Sequence, residues 1–153
     1  MGRVSLVKLY LLISMVLAPQ GLWATTYAVG TCKPRLRSFS TISAALTATP
    51  TPDVVQVCPG TYPEQIEITQ AVTLQGIASG NSELAMITVP SGGLVVNGAF
   101  GDGFIALGIQ LWVHNATGPV TVQDITVDGS GITLPGYYAG IFMTRDRSLT
   151  MVR

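Results

Sequence analysis

From Asp53 onward the chain is a succession of short β-type runs, with no helical periodicity among them. The runs are Val54-Val55-Gln56-Val57, Gln65-Ile66-Glu67-Ile68, Val72-Thr73-Leu74-Gln75, Met86-Ile87-Thr88-Val89, Leu94-Val95-Val96, residues 105–113, Val120-Thr121-Val122 and Ile125-Thr126-Val127. Each is bounded by Gly, Pro, Asn, Asp or Ser, the residues that punctuate turns. Many alternate apolar residues with Thr, Gln or Glu, which gives a strand one buried and one wet face. Four runs pass through a short gap to glycine: Val57 to Gly60, Leu74 to Gly76, Val96 to Gly98 and Val127 to Gly129. Their starting positions differ by 17, 22 and 31. A ragged period of about 22 predicts an all-β solenoid, about four stacked coils over residues 53–142. One coil cannot bury its inward side chains, whereas stacked coils bury them in a continuous column. The alternative is an antiparallel sandwich, which needs tight hairpins. Asn97-Gly98 and Asp128-Gly129 are two such hairpin dipeptides, so that alternative stays open.

The segment over residues 1–24 reads as an address. Arg3 and Lys8 precede an apolar run over residues 9–18, broken only by Ser14; Pro19, Gly21 and the small Ala24 follow. This is the three-part pattern of a secretory signal peptide, and it implies a secreted, periplasmic or cell-surface protein. The run is shorter than the about 20 residues that span a bilayer, so no stable span is expected after cleavage. The rival reading is an uncleaved anchor. Without the leader, six bases face eight acids. Residues 38–144 hold seven acids and no base. A basic nucleic-acid binder is therefore excluded, since no Lys/Arg excess exists to neutralise phosphates. Export also makes Cys32 and Cys58 a disulfide rather than reactive thiols. Phe39, Ile42, Ala45 and Leu46 predict a short amphipathic helix, capped by Ser38 or Ser40 and stopped by Pro50 and Pro52.

The segment over residues 39–80 carries a pattern. Phe39-Ser40-Thr41-Ile42-Ser43-Ala44-Ala45-Leu46 is followed by Asp53-Val54-Val55-Gln56-Val57-Cys58-Pro59-Gly60-Thr61-Tyr62-Pro63-Glu64, then by Val72-Thr73-Leu74-Gln75-Gly76. It resembles the N-terminal region of right-handed parallel β-helix proteins, the pectin-lyase-like superfamily. Residues 120–131 resemble an internal coil of the same fold. The resemblance implies a short helix over residues 39–48 capping the barrel end, in a segment covering residues 25–52. It also implies that Cys32–Cys58 pins the entry segment to the first coil, and that the setting is polysaccharide.

Activity is less well marked. Gly60, Tyr62 and Glu64 fit the G-x-Y-x-E element of pectin methylesterases, but the element also occurs in β-helix proteins without esterase activity. Its structural reading packs Tyr62 into the first turn and either gives Glu64 backbone donors or leaves it in water. Asp124 and Asp128 are the nearest carboxylate pair for a hydrolase, which needs one acid and one base. Asp102, Asp124 and Asp128 would supply Ca²⁺ ligands if neighbouring coils aligned them; no other cofactor is implied. A lyase of this superfamily also needs an arginine base, and none lies in residues 38–144. His114 reads as a lone surface histidine. Trp112, Tyr137 and Tyr138 read as packing aromatics that could also stack on sugars, Trp112 being the candidate contact. Asn115-Ala116-Thr117 is a glycosylation triplet only in a eukaryotic secretory pathway.

Residues 143–153 change character, with three arginines in that short stretch and no visible repeat register. They read as an atypical tail, the mark of a truncated or frame-shifted product. The sequence thus points to a polysaccharide-associated binding or surface module without a complete catalytic site. The rivals are a fragment of a carbohydrate esterase or lyase, and a purely structural solenoid. Oligomeric state is not legible.

Overall fold

The computed structural model describes residues 24–78, 84–100, 105–132, 136–144 and 149–152. Residues 1–23, most of the expected leader over residues 1–24, lie outside them, as do Asp102, Arg145, Arg147 and Arg153.

The described chain is all-β with one short helix. Thirteen strands form three sheets. The first sheet holds β1 (Thr26–Val29), β2 (Arg37–Phe39), β3 (Val54–Val57), β6 (Val72–Gly76), β10 (Val120–Gln123) and β13 (Leu149–Val152), in the spatial order β13-β10-β6-β3-β1-β2. The second holds β4 (Gly60–Pro63), β7 (Ala85–Thr88) and β11 (Ile125–Asp128), with β7 central. The third holds β5 (Ile66–Ile68), β9 (Ile105–His114) and β12 (Tyr137–Thr144), with β9 central; β8 (Gly98–Phe100) pairs with the start of β9. Every pairing is parallel except β8 with β9. That one antiparallel pair begins at Asn97-Gly98. Asp128-Gly129 leads instead into another sheet, so a sandwich built from hairpins is not formed.

Alternation puts every second residue of these strands inward, and parallel register lines the inward residues up. Val55, Leu74 and Val122 stand side by side across the first sheet. Tyr62, Ile87 and Val127 do so in the second, and Ile66, Leu111 and Ile141 in the third. These columns, except for Ile141, meet in one apolar cluster. On the opposite face of the first sheet the same register stacks Gln56, Gln75 and Gln123, and beside them Thr73, Thr121 and Thr150.

The four glycines that suggested the period are not equivalent positions. Gly76 pairs with Val57 in the first sheet, while Gly60 opens β4 in the second. Gly98 starts the antiparallel β8, and Gly129 follows β11. The register steps within the first sheet are unequal. Val54 pairs with Thr73, Val72 with Val120 and Val120 with Leu149, so the middle step is more than twice the length of the first. Connections between strands can lengthen outward at little entropic cost, so strand register survives while the period does not. Leu94-Val95-Val96 forms no strand; Val95 and Val96 are exposed.

The helix is α1 (Ile42–Leu46), shorter than residues 39–48 and capped by neither Ser38 nor Ser40. Thr41 caps it, its Oγ1 accepting the Ala44 N–H at 3.2 Å, because Thr41 directly precedes the first inward residue. Ser38 lies in β2. Ile42, Ala45 and Leu46 are buried against β1, β3 and β5. β1 gave no alternation in the sequence because it is buried on nearly every side, between β2 and β3. The reading of residues 143–153 as lacking register is also overturned. β12 runs to Thr144, and β13 continues the first sheet beside β10, with the Asp124 N–H donating to the Val152 carbonyl at 3.1 Å.

Candidate functional site

The G-x-Y-x-E element is built into the scaffold. Gly60 enters β4 at φ +151°, and Tyr62 then points inward, 9% exposed. Its hydroxyl donates to the Cys58 carbonyl at 2.9 Å. Burial, and secondarily the Glu64 carboxylate, push the Tyr62 phenol above its ordinary pKa. Cys58 forms the expected disulfide with Cys32, Cα atoms 5.7 Å apart. Gly30 sits against it at φ +87°, where a Cβ would come within 2.9 Å of the Cys58 Cβ. Glu64 reaches α1: Oε1 accepts the Ile42 N–H at 2.8 Å, and Oε2 accepts the Ser43 N–H at 3.0 Å and the Ser43 hydroxyl at 2.7 Å. Both carboxylate oxygens thus satisfy the orphan donors of the helix start. The element locks helix, strand and disulfide together, and its geometry is that of a clamp rather than an acid–base pair.

The other acids are dispersed. Asp124 takes φ +55° at the corner between β10 and β11, its carbonyl packed so closely on Gly76 that a Cβ there would collide with it. Asp128 ends β11 and turns back on Ser130: Oδ1 accepts the Ser130 N–H at 2.8 Å and Oδ2 the Ser130 hydroxyl at 2.9 Å. The backbone bond first, and the hydroxyl second, hold its carboxyl below the usual range. Among the described residues no group of three or more His, Cys, Asp or Glu could hold a metal ion. Asp102, the third expected Ca²⁺ ligand, lies outside the described residues.

A different constellation forms on the outer face of the third sheet. Trp112 and His114, two apart on β9, share that face, and their rings stack with centroids 3.8 Å apart at 23°. The Trp112 Nε1–H donates to Thr144 Oγ1 at 3.0 Å, on β12. Parallel register sets Glu67 beside Trp112 on one flank and Phe142 on the other. His114 Nε2 lies 3.6 Å from Glu67 Oε2. The Asn115 amide nitrogen lies 3.2 Å from His114 Nδ1. Asn97 completes the rim. Its Oδ1 accepts the Ile109 N–H at 2.8 Å, and its Nδ2 donates to the Ile109 carbonyl at 3.1 Å and to Glu67 Oε1 at 3.4 Å. Elsewhere on β12, Tyr138 pairs with Gly108, and its ring lies over that glycine.

Chemically this is a pair of rings stacked on each other, edged by a half-exposed carboxylate and carboxamides. Such an arrangement meets a ligand whose flat apolar faces alternate with hydroxyl donors and acceptors. Of the sequence candidates, the structure brings only Trp112 into it. Tyr137 pairs with Leu107 at the start of β12 and is exposed. Glu67, Asn97, His114 and Phe142 were not singled out for it. Their signal was faint: Trp112-x-His114 alternation on one strand, to be matched with Glu67 and Phe142 far to either side in the chain.

No family model, curated protein or solved structure matches this chain.

Proposed function

We propose that the chain is a secreted right-handed parallel β-helix that binds polysaccharide on the outer face of its third sheet and lacks a complete catalytic site of its own. The fold reading is supported by the order of visits to the sheets. β3-β4-β5, then β6-β7-β9, then β10-β11-β12 each pass through the first, second and third sheet in turn. Val72-Thr73-Leu74-Gln75 and Val120-Thr121-Val122-Gln123 fall in residue-for-residue register, as repeats of one coil would. On this reading three full turns follow one another, with β1 before them and β13 after. The likeness to the pectin-lyase-like superfamily supports the same winding, and the leader-like start and the disulfide support export.

The observation that carries the binding reading is the stacked Trp112–His114 pair, flanked in register by Glu67 and Phe142. The enzyme reading has less to rest on. Both Glu64 oxygens are engaged by α1, Asp128 is turned onto Ser130, and residues 38–144 contain no arginine.

The test is retention on insoluble plant and microbial glycans, with product assays run in parallel. Wild type is retained without turnover, and Trp112→Ala is released. Hydrolysis, or absorbance of an unsaturated product, would move the reading to an esterase or lyase. Neither retention nor turnover would leave a purely structural solenoid.

A further inference from the structure

His114 is the one histidine of the chain, and its two ring nitrogens are used unequally. Nδ1 has the Asn115 amide nitrogen 3.2 Å away. Nε2 is buried and has no hydrogen-bond partner. It faces Glu67 Oε2 at 3.6 Å, a contact too long for a hydrogen bond whichever ring nitrogen carries the proton. The ring is held in that aim by its stack on Trp112, centroids 3.8 Å apart. Glu67 is the freer partner, its side chain 48% exposed against 17% for His114. Its other oxygen is tied only by the Asn97 amide at 3.4 Å.

A second proton changes this geometry. A neutral imidazole has one N–H, whereas the imidazolium donates from both nitrogens. An N–H on Nε2 then points at a carboxylate oxygen. Charge-assisted bonds of this kind close to about 2.7–2.9 Å, a movement of less than about 1 Å for a half-exposed side chain. The indole face on the other side of the ring also receives a cation favourably. Asn115 is exposed, so its carboxamide is free to turn its oxygen toward Nδ1. The neighbours from each packed element are Glu67 on β5, Phe142 and Thr144 on β12, which pair with Trp112 and His114, and Asn97 before β8. Among these Glu67 alone ionises. Arg145 follows Thr144 and lies outside the described residues, so it enters the test.

We propose that His114 and Glu67 form a proton-operated latch beside Trp112. Protonation of the imidazole closes the Glu67–His114 contact and withdraws the carboxylate from the hydroxyls of a bound glycan. The site then holds glycan at neutral pH and releases it in mild acid. The release rests on the glycan-binding reading; the latch itself is measurable without ligand.

The full chain carrying Trp23→Phe has Trp112 as its single tryptophan. Its fluorescence should change in one step between about pH 8 and about pH 5, the range in which histidine switches charge. The step should persist in Arg145→Gln and vanish in His114→Phe, which keeps a stacked ring without the proton. Glu67→Gln should lower the thermal midpoint at about pH 5 and hardly at about pH 8, and in a His114→Phe background at neither. A step that survives His114→Phe or is lost in Arg145→Gln, or equal effects of Glu67→Gln at both pH values, would overturn the latch. On insoluble cellulose, xylan, mannan and crosslinked pectin, binding should be about tenfold weaker at the acid pH, the loss of one hydrogen bond to a charged group. That ratio should approach unity in His114→Phe. Equal or tighter binding in acid would overturn the release. Coupling between His114 and Glu67 in a chain that no glycan retains at either pH would uphold the latch and overturn the glycan reading.

Discussion

The two ends of the stacked strands use the same inward columns and treat them oppositely. In the third sheet Ile66 is wholly buried, while Ile141, in the same column, is 39% exposed. In the first sheet Val55 is wholly buried, while Met151 at the far side of its column is 47% exposed. The residue types hardly differ; what differs is the cover. At the Ile66 end α1 lies over the columns, Glu64 fixes the helix start, and the disulfide ties the segment after β1 to the one between β3 and β4. On the far side Ile141, Met143, Met151 and Val152 of the last described strands are exposed. An apolar side chain in such a stack is stabilising only when both neighbours in its column, or a cap, exclude water from it.

Truncation along one column tests that contrast most sharply. Ile66→Ala should cost about 2–5 kcal/mol in denaturant-unfolding stability, the range for a fully buried large-to-small change. Ile141→Ala should cost less than about 1 kcal/mol, as partly exposed sites do. Equal losses would erase the difference between the ends. Removing the disulfide with Cys32→Ser and Cys58→Ser should cost about 3.5 kcal/mol in the chain-entropy model for a loop of this length. The loss should be read as a lower urea midpoint, and the same midpoint in reduced wild type would corroborate it. Glu64→Ala strips three acceptor contacts from the start of α1 and should cost about 1–2 kcal/mol. If that variant melts like wild type, the clamp is ornamental.

Smaller effects come from titration. The folded Tyr62 pKa is raised, so its contribution is complete below the unfolded value of about 10 and is lost as pH rises through the folded one. Thermal midpoints measured across that alkaline window should fall more steeply for wild type than for Tyr62→Phe. The folded Asp128 pKa is lowered, so its contribution is present above about 3.9 and fades as pH falls through the folded value. Asp128→Asn should flatten the acid side of the melting profile slightly, and a large change there would contradict its exposed Ser130 turn.

Much of the capped end was legible beforehand. The inward Tyr62 and the existence of a helix followed from short-range patterns, and the disulfide from the count of two cysteines in a chain read as exported; for Glu64 the sequence left backbone donors and water both open. The strands of the middle region were legible too, since alternation is local. The period was not, because glycine marks many kinds of turn, and Gly60, Gly76, Gly98 and Gly129 serve four different ones. The better signal was the match of Val72-Thr73-Leu74-Gln75 to Val120-Thr121-Val122-Gln123, which pair directly despite their distance in the chain. The platform was hidden for a related reason. Glu67, Trp112 and Phe142 become neighbours only through register, and two long connections of unequal length separate them in the chain.

Those unequal connections carry a last consequence. The chain makes a far longer excursion from Val72 to Val120 than from Val54 to Thr73, yet each advances it by a single strand. Scaffold and ornament are therefore independent variables in this protein. Sequence can be added or exchanged in the connections between strands, as at the 90–94 turn, with less effect on the strands they join than changes within β7 or β9. Such a chain can diversify its surface chemistry rapidly while its interior stays under strict constraint, and the same property makes those excursions natural sites for grafting a new recognition loop.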